Sequence, residues 1–300
     1  MSAMQAVFER AKGRRPRVAF IGQGDGLIES AAAQLTTEGL GQPTIIGLGG
    51  VDPVRDQRLG QVAQVLRERW PERVRDGIHA LDLAANPLLF AAGLTAAGAI
   101  DVCVAGTAVP TDSMEEAARW LIGSDRNVRG RGSLSYVATP DGRLLAAAVP
   151  DTAGPLDPKG IAQLALTAAS HRQRATGEAA RVAFLVAPPS QDASHADAEL
   201  ALGEFRTVAP GIPASVEWDW PTGLEDPSDR ARFRLRPNVL IFPDPVAAHL
   251  ALLLVRDAAG LRSWGPLFPG DRWVLAGVSD GEATDVVTVA ALAGAGFTGA

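Results

Sequence analysis

Short runs of β-branched and aliphatic residues alternate with longer Ala/Leu-rich stretches along this 300-residue chain. In the first half, the runs with strand composition are VAFIG, TIIGLG, IHALDL and DVCVAG. The stretches between them with helical periodicity are 25–38, 56–70 and 86–97. This alternation is typical of βαβ units, so it predicts an α/β protein with a mostly parallel, buried sheet.

The middle of the chain departs from this alternation. Two β-rich runs within 133–149 flank Pro140-Asp141-Gly142, which predicts a hairpin. Residues 151–158 follow as a linker, and Asp157 before Pro158 predicts the start of a helix through 160–175. A second alternating set then contains the strands RVAFLVA, SVEWDW and NVLIFPD, a helix from about Ser194, a helix over 245–258 and a last helix near 284–294.

Composition and charge exclude several classes of protein. The chain is 47% hydrophobic and 21% charged, as in globular proteins, and its net charge of −6 disfavours nucleic-acid and membrane-surface partners. Its single cysteine, Cys103, excludes an internal disulfide and is interpreted as a buried strand residue, not a nucleophile. The N-terminal segment lacks the order of a signal peptide, and the apolar runs are too short to span a membrane. We therefore expect a cytoplasmic protein. The scattered histidines predict no metal site.

The C-terminal third contains the most informative segment. Residues 238–270 read NVLIFPDPVAAHLALLLVRDAAGLRSWGPLFPG. This segment resembles the phosphate acetyl/butyryltransferase (phosphotransacetylase) family, in which an I-x-x-F-P-D strand end precedes a helix and a G-P-[IL]-x-x-G turn. Further blocks in the family's order are RVAFIGQGDGLIESAA (17–32), EGLGQPTIIG (38–47) and NPLLFAAGLTAAGAIDVCVAG (86–106). The resemblance is in register over almost the whole chain.

The resemblance implies an architecture and an assembly. We expect two α/β domains with parallel-rich sheets around an interdomain cleft, similar to the isocitrate/isopropylmalate dehydrogenase-like architecture. The last helix would return to the first domain, so the expected boundaries are 1–150 plus about 272–300 for the first domain and about 151–271 for the second. The resemblance also implies a homodimer, and the Ala/Leu/Val-rich helices could pack between subunits.

The implied reaction is acyl-CoA + phosphate = acyl phosphate + CoA, with coenzyme A as a substrate and no cofactor or metal. Asp285 matches the family's catalytic aspartate if one residue is deleted, and Ser279 matches its serine. Thr111, Gly281 and Asp244 match further motif positions, where we expect substrate contacts. Two interpretations stay open for each catalytic candidate. Asp285 is either a general base or an acidic first-turn residue, and Ser279 is either a substrate contact or a helix cap.

Three positions lack an arginine that the family uses. Asp280 stands where S-R-G has its arginine, Glu116 where T-[TS]-x-x-x-x-R has one, and Leu27 where P-E-G-x-x-x-R has one. An attractive charge pair at ~4 Å and an effective dielectric constant of ~20 contributes about 4 kcal/mol, and a carboxylate reverses its sign. We therefore expect weakened phosphate binding.

These substitutions leave two questions open, the role of one basic loop and the function of the chain. The loop RNVRGR, with Arg126, Arg129 and Arg131, either compensates from within the cleft or is a solvated basic loop. The chain is thus a phosphate acyltransferase with substituted phosphate-binding positions, an altered enzyme that uses a less anionic acceptor, or a catalytically weak or inactive homologue. Such a homologue would act as a CoA- or metabolite-binding or regulatory subunit.

Overall fold

The computed structural model describes residues 2–24, 26–106, 109–122, 132–151, 156–186, 193–217, 236–270, 274–277 and 281–297. Its helices are α1 (Ala3–Arg14), α2 (Leu27–Thr37), α3 (Leu59–Arg69), α4 (Gly77–Ala84), α5 (Pro87–Ala96), α6 (Thr111–Ala117), α7 (Pro158–Thr176), α8 (Ala193–Val208), α9 (Pro245–Asp257) and α10 (Ala283–Gly296). Its strands are β1 (Arg17–Gln23), β2 (Gln42–Leu48), β3 (Val102–Ala105), β4 (Gly132–Ala138), β5 (Leu144–Pro150), β6 (Val182–Leu185), β7 (Ala214–Glu217), β8 (Val239–Ile241), β9 (Ser263–Pro269) and β10 (Val274–Gly277). A short 3-10 helix covers Pro53–Arg55, and a π-helical segment, Ala118–Ile122, continues α6.

The chain forms two compact units. Unit 1 comprises Met1–Asn127, Arg174–Thr176 and Trp264–Ala300, and unit 2 comprises Val128–Gln173 and Gly177–Ser263. Both units contain mostly parallel strands flanked by helices, which confirms the predicted α/β class with a parallel-rich sheet.

Unit 1 has the strand order β2-β1-β3-β10-β9. The first four strands are parallel, and β9 is antiparallel to β10. Because β2 and β3 lie on opposite sides of β1, the strand order reverses between β1 and β3. In open α/β sheets, ligands bind beyond the carboxyl ends of strands at such a reversal.

Two buried helices of unit 1 have hydrogen-bonding partners at their ends. The side chain of Asn86 caps α5 by accepting the backbone N–H groups of Leu88 and Leu89, and Pro87 occupies the first helical position. Helix α10 is apolar on every side because it is buried along almost its whole length. At its C-terminal end, Arg174 Nε donates to the carbonyl of Gly296 at 2.7 Å. The guanidinium of Arg14 donates to the next carbonyl, that of Phe297. Two arginines therefore donate to carbonyl groups at the C-terminal end of this helix, where their positive charges stabilise the negative end of the helix dipole.

Unit 2 starts with the antiparallel pair β4–β5 and continues through the parallel strands β8, β6 and β7. Its interior contains polar groups as well as apolar ones. Tyr136 Oη and His171 Nδ1 lie 2.7 Å apart, both in fully buried side chains. Next to them, buried Arg172 donates to the carbonyl of Leu144 at 3.0 Å and to Glu178 at 2.6 Å. These bonds offset the cost of burying a guanidinium.

Most predicted elements are present, and two assignments are wrong. The hairpin within 133–149 is confirmed as β4–β5, and the Asp157 cap is confirmed by its bond from the N–H of Gly160 at 2.7 Å. IHALDL is not a strand but helix α4, because Asp76 caps it and its Ala80 and Ala84, four residues apart, are buried on one face. GPLFPG is not a turn, because these residues pair with β10 and form β9.

Cys103 lies in β3 and is fully buried, as predicted. Burial raises the pKa of its thiol from 9.0 to about 12. The unfolded chain therefore loses this proton at a lower pH than the folded chain, so the free energy of unfolding falls as the pH rises from 9.0 to about 12.

We expect native protein to resist iodoacetamide at mildly alkaline pH, because the thiol is both buried and protonated. The same reagent should modify Cys103 once the chain is unfolded in guanidinium chloride. Mass spectrometry of both samples measures the difference. Equal labelling rates in the folded and unfolded samples would contradict the buried position of this residue.

No single helix of the described residues has the length and hydropathy to cross a membrane. Helices α4 and α5 meet the length and composition criterion only when they are taken together, and they are bent by 102° relative to each other. Both helices also place alanine residues in the buried core of unit 1.

Candidate functional site

Three adjacent parallel strands of unit 1, β1, β3 and β10, end at one edge of the sheet. Leu27 follows β1, Thr111 follows β3, and Gly281 and Asp285 follow β10. The topology thus brings four of the predicted site residues to the same edge, although they are far apart in the sequence. This edge includes the reversal of strand order, so it is the candidate site of unit 1.

The turn after β1 is built from glycines. Gly24 and Gly26 both have φ of 75°, a conformation that favours glycine. Gly26 is the N-cap of α2 and has no side chain that could cap this helix. Leu27, the first residue of α2, is half-buried. The turn therefore offers backbone donors but no cation at position 27.

Asp285 accepts hydrogen bonds both from a side chain and from the backbone. The indole Nε1–H of Trp264, in β9, donates to Oδ1 at 3.0 Å, and the backbone N–H of Glu282 donates to Oδ2 at 3.2 Å. The second bond is half of a capping box at the start of α10. The carboxylate is half-buried and its orientation is fixed. Asp285 therefore caps its helix, and its role as a general base stays a prediction.

Gly281 lies directly against this carboxylate. Its φ is 127°, and a Cβ added there would lie only 2.6 Å from Asp285 Oδ2. Glycine is therefore required by both the backbone conformation and the close approach. The matched S-x-G position of the sequence thus has a physical role next to Asp285.

Two residues that the sequence analysis did not identify also shape this edge. Trp264 is buried and precedes Gly265-Pro266, and only the pairing of β9 with β10 brings it to Asp285. Met114, in α6, packs so closely on β10 that a Cβ at Gly277 would lie 2.6 Å from its Cε. Their sequence signals are weak, because an isolated Trp or Met is usual in any core.

Glu116 does not stand as an isolated negative charge. Arg73 Nη2 lies 2.7 Å from Glu116 Oε1, and both side chains are exposed. The Arg73 guanidinium also lies over the ring of Trp70, 5.3 Å from its centroid, and Trp70 stacks on Trp120. Arg73 therefore offsets part of the negative charge at position 116, and the effect of Glu116 on phosphate binding stays a prediction.

Asp244 belongs to unit 2, where it follows β8. Its Oδ1 accepts the backbone N–H groups of Val246 at 2.7 Å and Ala247 at 3.0 Å, so it is the N-cap of α9. This geometry gives the residue a structural role. Its predicted contact with substrate stays a prediction.

The remaining predicted site residues, Ser279, Asp280, Arg126, Arg129 and Arg131, lie outside the described residues. Within the described part of the chain, no group of three or more His, Cys, Asp or Glu side chains could hold a metal ion. The geometry available for a chemical role is therefore centred on Asp285 and its immediate neighbours.

Comparison with known proteins identifies the scaffold. Residues 2–203 match the family described as Phosphate acetyl/butaryl transferase. This chain belongs to that family. The family match ends before α10, but a Phosphate acetyltransferase of Paracoccus denitrificans is 27% identical over 294 residues, covering 90% of this chain and 91% of the relative.

Solved structures have the same fold as this member of the phosphate acetyl/butyryl transferase family. A phosphotransacetylase from Streptococcus pyogenes aligns with a TM-score of 0.82 at 16% identity, covering 98% of this chain and 97% of that one. The EutD phosphotransacetylase from Staphylococcus aureus aligns with a TM-score of 0.79 at 17% identity and the same coverage. At these identities the likeness establishes the fold alone.

Proposed function

We propose that this chain transfers an acyl group between coenzyme A and phosphate, with Asp285 as the general base. The observation that carries the proposal is the fixed carboxylate of Asp285, which matches the family's catalytic aspartate and has both oxygens oriented by donors. A carboxylate can accept several hydrogen bonds, so one that is oriented by protein donors can also accept a proton from a substrate.

The proposed chemistry needs one proton transfer and one acyl transfer. Asp285 accepts the proton of the CoA thiol, and the thiolate attacks the carbonyl carbon of an acyl phosphate. The new C–S bond forms as the C–O bond to phosphate breaks, and phosphate leaves with the bonding electron pair. In the reverse direction, phosphate attacks the thioester and Asp285 returns the proton to the CoA sulfur. We assign Thr111 and Ser279 as hydroxyl donors to the substrate.

Phosphate would be bound weakly at this site. Positions 27, 116 and 280 supply no cation, and the charge of Arg73 is already balanced by Glu116. The start of α2 supports some anion binding, because a helix N-terminus favours negative charge. A site of this composition should discriminate against free phosphate more strongly than against an acyl-CoA.

The test is the formation of acyl-CoA from CoA and acetyl, propionyl or butyryl phosphate. We expect measurable turnover below the ordinary value of about 10 per second, with a high KM for the phosphorylated substrate. Thermal unfolding with and without CoA provides a parallel readout of binding. Efficient turnover with a low KM for acetyl phosphate would contradict the weak anion site, whereas no turnover with any donor would contradict the proposed reaction.

The second candidate is a CoA- or metabolite-binding homologue without turnover. The observation that favours it is the capping role of Asp285, which would be retained without any catalysis. In that case CoA should raise the melting temperature although none of the acyl phosphates is consumed. The binding and turnover measurements together therefore separate the two functions.

A further inference from the structure

The first turn of α2 has a large aliphatic side chain that the core does not cover completely. Leu27 is half-buried, whereas the next residue, Ile28, is 1% exposed. Ile28 points toward the end of β3, because a Cβ added at Gly106 would lie 3.6 Å from its Cδ1. Glu29 points toward the end of β2, because a Cβ added at Gly49 would lie 2.8 Å from its Oε1.

These two contacts determine the direction of Leu27. Successive side chains on an α-helix are rotated by about 100°, so Leu27 and Glu29 lie on opposite flanks of α2, with Ile28 between them. Because Glu29 faces β2, Leu27 faces the other side, where α2 packs against α10 and α10 packs against β3 and β10. Both helices begin at the same edge of the sheet, one after β1 and the other after β10. Leu27 therefore lies on the flank of α2 that faces the start of α10, which contains Asp285.

We infer that Leu27 is a specificity-determining residue that contacts the alkyl chain of the acyl group, and that the site selects medium-chain acyl groups of about six carbons over acetyl. The inference rests on the proposed acyl transfer. Packed helices lie about 8–10 Å apart. An extended hexanoyl chain spans roughly 6 Å from its carbonyl carbon, whereas the single C–C bond of an acetyl group spans about 1.5 Å. With the carbonyl beside Asp285, only the longer chain reaches the side chain of Leu27.

The surroundings of Asp285 suit an alkyl chain. Trp264, whose indole donates to this carboxylate, is 6% exposed. Met114 is 2% exposed and packs on Gly277, the last residue of β10. Gly106 directly follows β3, the strand between β1 and β10, so this position adds no side chain between the two helices. Alkyl carbons that leave water here gain the hydrophobic contribution to binding.

The substrate profile gives the first test. Acetyl-CoA, butyryl-CoA and hexanoyl-CoA are compared as donors to phosphate, with the release of CoA as the signal. Each methylene that is removed from water favours binding about four-fold. We therefore expect kcat/KM for hexanoyl-CoA to exceed that for acetyl-CoA by about ten-fold or more, mainly through a lower KM. Equal values, or a preference for acetyl-CoA, would overturn the inference.

Variants at position 27 separate specificity from packing. Leu27→Ala should lower kcat/KM for hexanoyl-CoA by about ten-fold and leave that for acetyl-CoA nearly unchanged. Leu27→Met conserves the volume and should keep the preference for hexanoyl-CoA. Leu59→Ala is the matched control, because Leu59 is the half-buried first residue of α3 in the same unit, and α3 does not begin at the end of β1, β3 or β10. An equal loss with both donors in Leu27→Ala would show a packing role alone and overturn the inference.

A binding measurement distinguishes failure of this inference from failure of the proposed reaction. Absence of turnover with every donor would contradict acyl transfer, and thermal unfolding with equal concentrations of each ligand then decides on Leu27. Hexanoyl-CoA should raise the melting temperature of the wild type more than acetyl-CoA or CoA does, because tighter binding to the folded state gives greater stabilisation. Leu27→Ala should remove this difference. Equal stabilisation of the wild type by the three ligands, or a difference that persists in Leu27→Ala, would overturn the inference.

Discussion

Asp285→Asn should lower kcat by about 10²- to 10⁴-fold, the usual contribution of general acid–base catalysis. The amide is isosteric with the carboxylate but cannot accept the thiol proton. It also keeps only one oxygen acceptor, so one of the bonds from Trp264 and Glu282 is lost, at a cost of about 0.5–2 kcal/mol for a helix cap. Steady-state kinetics and thermal unfolding of the same preparation measure the two effects.

Trp264→Phe is the informative companion variant. It keeps an aromatic ring in the buried position but removes the N–H that orients Asp285 Oδ1. We expect kcat to fall by up to about 10²-fold with little change in KM, because a base that is displaced slightly loses much of its effect. If Asp285 only caps α10, both variants should lower the melting temperature and leave kcat unchanged.

Asp280→Arg should produce the largest gain in anion binding. The substitution replaces the negative charge beside the retained Ser279 with a guanidinium that can donate paired hydrogen bonds to phosphate. A ligand that binds only the folded state at ~100 times its Kd stabilises the protein by about 2.7 kcal/mol. We expect phosphate, acetyl phosphate and CoA to stabilise this variant clearly, and phosphate to stabilise the wild type little.

The ion pair at position 116 changes the best design for a second substitution. Glu116→Arg would place a new guanidinium beside that of Arg73, which now lies 2.7 Å from the carboxylate. Glu116→Gln instead removes the negative charge and leaves Arg73 available to an anion. If both positions face one ligand, Asp280→Arg and Glu116→Gln should be coupled and not additive. Additive effects would contradict a shared ligand.

A matched control shows whether the response to phosphate depends on the charge at position 280 or on the net charge of the protein. Asp82→Arg makes the same change in net charge as Asp280→Arg, at an exposed position of α4. It should leave the response to phosphate unchanged. A strong response of the wild type to phosphate would overturn our interpretation of the lost arginines, and the loop with Arg126, Arg129 and Arg131 would become the first candidate for the compensating cation.

The sequence predicted elements whose causes are local. Asp157 before Pro158 and the Pro140-Asp141-Gly142 turn specify their structures within a few residues, and both are confirmed. IHALDL was ambiguous because its short apolar run suits either a strand or a buried helix. GPLFPG forms a strand only because β10 pairs with it, and no pattern within the hexapeptide encodes that partner.

In the candidate site, too, local features could be predicted from the sequence and contacts with distant segments could not. The position of Asp285 could be predicted from its motif, and its place beyond a parallel strand follows from the alternation of elements. Its orientation could not, because Trp264 lies 21 residues earlier and reaches it only through the β9–β10 pair. Arg73 lies 43 residues from Glu116, on a different segment, so the ion pair appears only once the chain is folded.

The interior position of β10 has a consequence for the order in which the protein is made. β3 ends at Ala105 and β10 begins at Val274, yet they are neighbours in the sheet of unit 1. At a translation rate of about 5–20 residues per second, the ribosome needs on the order of ten seconds or more to synthesise the intervening chain. During that time one edge of β3 lacks its partner, and α10 does not yet exist to cover the sheet. Unit 1, which contains the candidate base, is therefore completed after most of unit 2 has emerged, and until then its open edge is a surface for chaperones or for aggregation.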